Sequence, residues 1–243
     1  MWSAPKDIAE RYYAFVKQAL TDESAFSKFK TTDDYNAVVG MSLPWQAQRF
    51  LDNIKKDPDI LSRMEDFKRN DIYGTPQIVV TEGISASPNT LRHIQTLVDL
   101  KRNFGSLDGK VISELGVGYG ATAFMIGTYY KPAAYHLIDL PDVQKLAHKY
   151  LSLHNIPSTY EAPPKEVDLF ISEFCWTEFD DEDMMKFYEQ YIQNAKNVYI
   201  MSNLFEEDRK QKIIHHMNYD FELQIYPETH GTNYPSYVIV GKK

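Results

Sequence analysis

The sequence predicts an α/β protein: a doubly wound, mostly parallel sheet with one reversed strand, preceded by a helical region. Three observations predict it. From Lys110 onward, short apolar and β-branched runs alternate with helical patterns. A glycine-rich turn, Gly116-Val117-Gly118-Tyr119-Gly120, joins the first of those runs to a helix. The last two runs, Phe221–Ile225 and Ser236–Val240, have only a loop between them, and strands joined without a crossover helix normally pair antiparallel.

Taken in order, the elements begin with helix. Ile8, Tyr12, Phe15, Val16 and Ala19 recur at spacings of three and four, which gives one apolar face. Pro44 and Pro58 suit first helical turns, where the missing N–H has no partner to lose. Between Asn70 and Ser87, Gly74, Pro76 and Gly83 surround a short extended run, Gln77–Thr81. Ser87-Pro88 then starts a helix, with serine as N-cap and proline at the first position, running to about Asn103. Gly105 and Gly109 mark the turns that follow. Residues 1–105 are therefore expected to form a helical cap or lid, and residues 106–243 the core.

Within the core, Val111–Leu115 reads as a buried strand leading into the glycine turn and a helix through Phe124 and Ile126. Tyr135–Asp139 is a second strand, followed by a helix over Val143, Leu146, Ala147 and Tyr150. Ser158–Tyr160 is a short third strand and Val167–Ile171 a fourth. Asp180 to Asp183 place acidic side chains at a helix start, where the helix dipole favours them. Asn197–Met201 is a fifth strand, with another helix after it.

Composition excludes several classes. The chain has 243 residues, 43% hydrophobic and 25% charged, an ordinary globular balance. No run approaches the roughly 18 apolar residues of a membrane span. A net charge of −8, without a long basic cluster, argues against a nucleic-acid partner. The single cysteine, Cys175, forms no internal disulfide and fits a cytoplasmic setting, and the first residues lack the layout of a secretory signal. No Cys/His set has zinc spacing, so no metal site is expected.

The glycine turn carries the strongest chemical signal. Gly116, Gly118 and Gly120 let the backbone approach a ligand closely at a helix start. Asp139 ends the next strand about twenty residues on, where a carboxylate can accept both hydroxyls of a ribose. Together they imply an adenosine-bearing cofactor, and Gly116-x-Gly118-x-x-Ala121 also satisfies a loose dinucleotide fingerprint. Two features divide those alternatives. Glu114 would repel a pyrophosphate and welcome a cationic methionine end. The antiparallel last strand is a trait of methyltransferases and not of common dinucleotide folds.

The layout Glu114-x-Gly116-x-Gly118-x-Gly120 followed by Ile138-Asp139-Leu140-Pro141 resembles the class I S-adenosylmethionine-dependent methyltransferases. More narrowly, it resembles the sugar O-methyltransferase family found among polysaccharide-modification proteins. Asn70-Asp71, Gly74, Pro76 and Ser87–Arg92 resemble that family's segments before the core, and Asp168–Glu178 its fourth-strand motif. The chain departs from it with Val117, where glycine is common, and with the bulky Phe174-Cys175-Trp176. The resemblance implies a Rossmann-like sheet, S-adenosyl-L-methionine as cofactor and a sugar or glycan as acceptor. Cofactor contacts are then expected from Glu114, Gly116, Gly118, Tyr119, Gly120, Asp139, Leu140 and Ser172, and acceptor contacts from Asn70, Asp71, Tyr73 and Glu178. A hydroxyl acceptor needs a base to take its proton; Glu173 and His230 are the candidates assigned to that role, with Glu178 a third. An NAD-dependent enzyme, an arginine methyltransferase and a non-catalytic binding module remain alternatives, and a homodimer is an open expectation.

Overall fold

The computed structural model describes residues 5–40, 42–203, 206–228 and 236–243. Among the described residues six α-helices come first: α1 (Lys6–Thr21), α2 (Glu23–Phe26), α3 (Asp33–Val39), α4 (Ala47–Ile54), α5 (Pro58–Leu61) and α6 (Met64–Phe67). Strands β1 (Val79–Thr81) and β2 (Ile84–Ala86) form a small antiparallel ladder of their own. Helix α7 (Pro88–Phe104) leads into β3 (Val111–Leu115), α8 (Ala121–Tyr129), β4 (Ala134–Ile138), α9 (Pro141–Leu153) and β5 (Leu169–Glu173). Then follow α10 (Asp181–Phe187), β6 (Asn197–Ser202), α11 (Glu207–Met217), β7 (Glu222–Pro227) and β8 (Tyr237–Lys242).

Local chemistry explains the boundaries. Ser87 Oγ accepts the Thr90 N–H at 3.1 Å, Pro88 occupies the first helical position, and Gly105 ends α7 at φ 71°. Asp180 accepts the Asp183 N–H at 2.9 Å and so caps α10. The central sheet has the order β4-β3-β5-β6-β8-β7. Strands β3 to β6 are parallel, and β8 runs antiparallel to both β6 and β7. One strand is reversed, as the missing crossover helix required.

Two expectations are corrected. Ser158–Tyr160 is not a strand: a single parallel bridge, His136 to Thr159, is all that pairs there, so β4 is the sheet edge. The extended run before α7 has a partner that the sequence pattern missed, Ile84–Ala86.

Side chains alternate between the two faces of the sheet with the strand period of two. Ile171, Tyr199, Val238 and Val240 join one apolar cluster, while Phe170, Val198, Ile200 and Ile239 join the other. The first cluster also holds Tyr12, Phe15 and Val16 of α1 with Leu146 and Tyr150 of α9, so the N-terminal helices share the core of the sheet. Among the described residues no helix is long and apolar enough to cross a membrane.

Candidate active site

Because β3, β4 and β5 are parallel, their carboxyl ends open on the same edge, and a cavity of about 570 Å³ lies there. Its floor is the glycine turn with Ile138–Leu140 and Glu173–Cys175. Tyr12 and Tyr13 of α1, Val38 and Val39 of α3, and Arg92 and His93 of α7 close it from the other side.

The turn is built so that backbone, not side chain, faces the cavity. Gly116 has φ 81°, and a Cβ there would stand 2.3 Å from Cys175 Cβ. The bulk after β5 and the missing side chain at 116 are two halves of one fit. Phe174, beside it, is a non-glycine residue at φ 60°, a strained conformation of the kind that clusters at binding sites. Gly118 N–H donates to Asp139 Oδ2 at 3.3 Å, and Leu140 N–H donates to Oδ1 at 2.7 Å. Burial outweighs those donors and pushes the Asp139 carboxyl up to about 6.

Two glutamates stand on neighbouring strands. Glu114 is buried, accepts the Tyr135 hydroxyl at 2.6 Å, and is pushed well above the usual carboxylate range by burial and then by Glu173. Glu173 accepts the Thr122 hydroxyl on one oxygen, while Thr96 Oγ1 lies 3.4 Å and His93 Nδ1 3.8 Å from the other. His93 Nδ1 is 3.0 Å from Thr122 Oγ1, and its Nε2 is 3.3 Å from Arg92 Nη2. The Thr122 proton is committed to Glu173, so the network assigns the imidazole hydrogen to Nδ1 and leaves Nε2 to accept from Arg92. Burial, then the charges of Arg92 and Lys30, hold His93 well below its ordinary pKa, which suits that neutral form.

Of the residues expected from sequence, Glu114, Gly116, Gly118, Tyr119, Asp139, Leu140, Glu173 and Glu178 line the cavity. The others do not. Gly120 starts α8 at φ 89° and packs against Leu151. Ser172 lies fully buried on the opposite pleat, accepting the Trp176 N–H at 3.1 Å. Asn70, Asp71 and Tyr73 are not among the described residues that line the cavity. The Asn70 amide donates to Thr90 Oγ1 (2.7 Å) and Tyr119 Oη (3.1 Å), and its oxygen accepts from Tyr150 Oη (2.6 Å). Asp71 accepts the Ser87 N–H (2.8 Å), the Ser87 hydroxyl (2.7 Å) and the Thr90 hydroxyl (2.7 Å), and so anchors the start of α7. Tyr73 packs on the Phe26, Tyr150 and His154 rings. His230 lies outside the described residues. Sequence reasoning missed Arg92, His93, Thr96 and Thr122. A signal existed, since His93 and Thr96 are three apart on a well-capped helix and share a face. Among the described residues no group of three or more His, Cys, Asp or Glu side chains is arranged to hold a metal.

No protein-family model and no curated protein matches the sequence. Solved structures do match the fold. Magnesium protoporphyrin IX methyltransferase from Synechocystis PCC 6803, solved with bound S-adenosylmethionine, is 13% identical, with a TM-score of 0.50. The match covers 79% of this chain and 97% of that one. The chain has a Rossmann-like methyltransferase fold. A further match is an S-adenosylmethionine-dependent methyltransferase from Clostridium acetobutylicum ATCC 824, at 9% identity and a TM-score of 0.48. It covers 60% of this chain and 88% of that one. In this chain the reversed strand is β8, and the cavity lies at the edge where ligands of open α/β sheets bind.

Proposed function

We propose that the protein is an S-adenosylmethionine-dependent O-methyltransferase acting on a sugar or glycan hydroxyl. One observation carries the reading: the glycine turn, Asp139 and the buried pair Glu114 and Glu173 all face one cavity of this fold. Asp139 is suited to hold ribose hydroxyls, and the turn leaves room for the nucleoside to lie against backbone. Two close carboxyl groups in a buried site favour a cation and oppose a pyrophosphate, which supports the sulfonium-bearing cofactor over NAD.

Bound S-adenosylmethionine would supply an electrophilic methyl group on sulfur, and Glu173 would take the acceptor hydroxyl's proton as the methyl transfers from sulfur to oxygen. The Thr122 hydroxyl fixes that carboxylate in place. Such a step depends mainly on aligning oxygen, methyl and sulfur, with the base adding roughly a hundredfold. Residues 1–105 serve as the cap over the acceptor, with Tyr12, Tyr13, Val38 and Val39 on the wall. The sugar assignment rests on the sequence resemblance and on the rings of Tyr12, Tyr13, Phe179, Phe187 and Tyr191 around the cavity, flat faces suited to a pyranose.

Calorimetric titration with S-adenosylhomocysteine, paired with NAD, tests the cofactor. Micromolar binding of the first alone is expected. Binding of NAD, or of neither, removes the reading. Methyl transfer from labelled cofactor to a panel of glycosides, against amine and carboxyl acceptors, tests the acceptor class.

A further inference from the structure

Arg92 is the one Lys or Arg among the described residues lining the cavity, against five acids: Glu114, Asp139, Glu173, Glu178 and Asp183. It is nevertheless not neutralised by any of them. None of those carboxylates forms an ion pair with it, and its polar neighbour is the neutral imidazole of His93, 3.3 Å from Nη2. Its Nε is buried without a hydrogen-bond partner. Leaving a buried guanidinium N–H unmatched costs free energy that a ligand oxyanion would recover. The position is held, not incidental. Arg92 sits in the capped first half of α7, and the adjacent His93 is tied through Thr122 to Glu173.

Resting on the methyltransferase reading, we propose that Arg92 is a carboxylate-binding residue of the cavity. A planar fork of N–H donors fits a carboxylate through two parallel hydrogen bonds, which an ammonium cannot reproduce. The cofactor carries such a group on its amino-acid end, away from the ribose. With the ribose at Asp139, Glu114 would meet the ammonium of that end and Arg92 its carboxylate. A uronic acid acceptor would present the same chemistry to the same residue.

The test compares wild type with Arg92→Gln and Arg92→Lys by calorimetry. The ligands are S-adenosylhomocysteine and 5′-methylthioadenosine, which keeps the nucleoside and lacks the amino acid. The expected result is at least a tenfold loss of S-adenosylhomocysteine affinity in Arg92→Gln, a smaller loss in Arg92→Lys, and unchanged binding of 5′-methylthioadenosine. That unchanged binding also reports an intact fold. A second titration, with methyl glucuronoside and methyl glucoside at saturating S-adenosylhomocysteine, identifies the other source. If only glucuronoside binding is lost in Arg92→Gln, the carboxylate belongs to the acceptor. Equal losses for both nucleosides, or no loss for any ligand, overturn the proposal. Wild-type protein that binds neither nucleoside removes the functional reading and this inference together, whereas wild-type binding with no effect of Arg92 overturns the inference alone.

Discussion

Two groups of buried polar side chains flank Tyr119, and they are wired in opposite ways. On one side, Asn70, Asp71, Thr90 and Tyr150 spend their hydrogen bonds on each other, and Lys30 donates to the Asn70 carbonyl. The Lys30 ammonium lies 4.4 Å from the Tyr119 ring centroid and 4.9 Å from that of Tyr150. On the other side, Arg92, Glu114, Asp139 and Glu173 face a cavity with bonding capacity to spare. Residue type does not separate the two groups, since each holds a carboxylate and a base. Where the hydrogen bonds go separates them. A polar group satisfied within the chain joins the N-terminal helices to the sheet; one left facing a cavity is available to a ligand.

The comparison predicts that the closed group governs stability and the open group governs binding. The largest effect is expected from Asn70→Ala. It removes two donors and an acceptor from the closed group and should lower unfolding stability by about 3 kcal/mol in denaturant titration. S-adenosylhomocysteine affinity of the folded protein should stay within about twofold. A stable variant that no longer binds would invert the comparison.

Next comes Asp139→Ala, expected to weaken S-adenosylhomocysteine at least tenfold, about 1.4 kcal/mol, with little change in the unfolding midpoint. The wild type should also lose affinity as pH falls through about 6, where Asp139 takes up a proton. The variant should lose that slope. The carboxyl's own stability contribution runs the other way. Its folded pKa is raised above the ordinary 3.8, so the native state binds more protons, and this contribution fades as pH rises through about 6.

The smallest effect belongs to Lys30→Met. Burial lowers the lysine from 10.5 to about 7, so between those values the unfolded chain binds more protons and stability rises with pH. Methionine should flatten that rise between pH 7 and 10 in thermal melts and add about 1 kcal/mol at pH 7. A loss of stability at pH 7 would mean that the amine's contacts outweigh its desolvation.

Much of the fold was legible because its signals are local. The run Val111–Leu115, the glycine turn, the Ser87-Pro88 helix start and the helix-free ending each declare themselves within a few residues. Ser158–Tyr160 misled because a β-prone tripeptide pairs only if a neighbour lies alongside, and here one bridge forms. The cavity floor was legible for the same reason as the turn. The Arg92–His93–Thr122–Glu173 chain was not, because it joins α7, α8 and β5 across 81 residues, and no short window contains it. Ser172 shows the opposite error: adjacent to Glu173 in sequence, it points to the other pleat. Asn70 and Asp71 were legible as polar positions, but their partners at the start of α7 and in α9 were not.

The sheet order also bears on how the protein is made. The strand β8 lies between β6 and β7, and among the described residues β7 pairs with no other strand. As the chain leaves the ribosome, β3 to β6 can assemble in turn, but β7 must wait with both backbone edges bare. The sheet closes only after residues 237–242 are translated and threaded into the gap. Such late, non-local pairing slows folding and exposes an unpaired strand during synthesis. A nascent chain stalled before residue 237 would therefore present β6 and β7 as two open edges to any chaperone, or to another copy of itself.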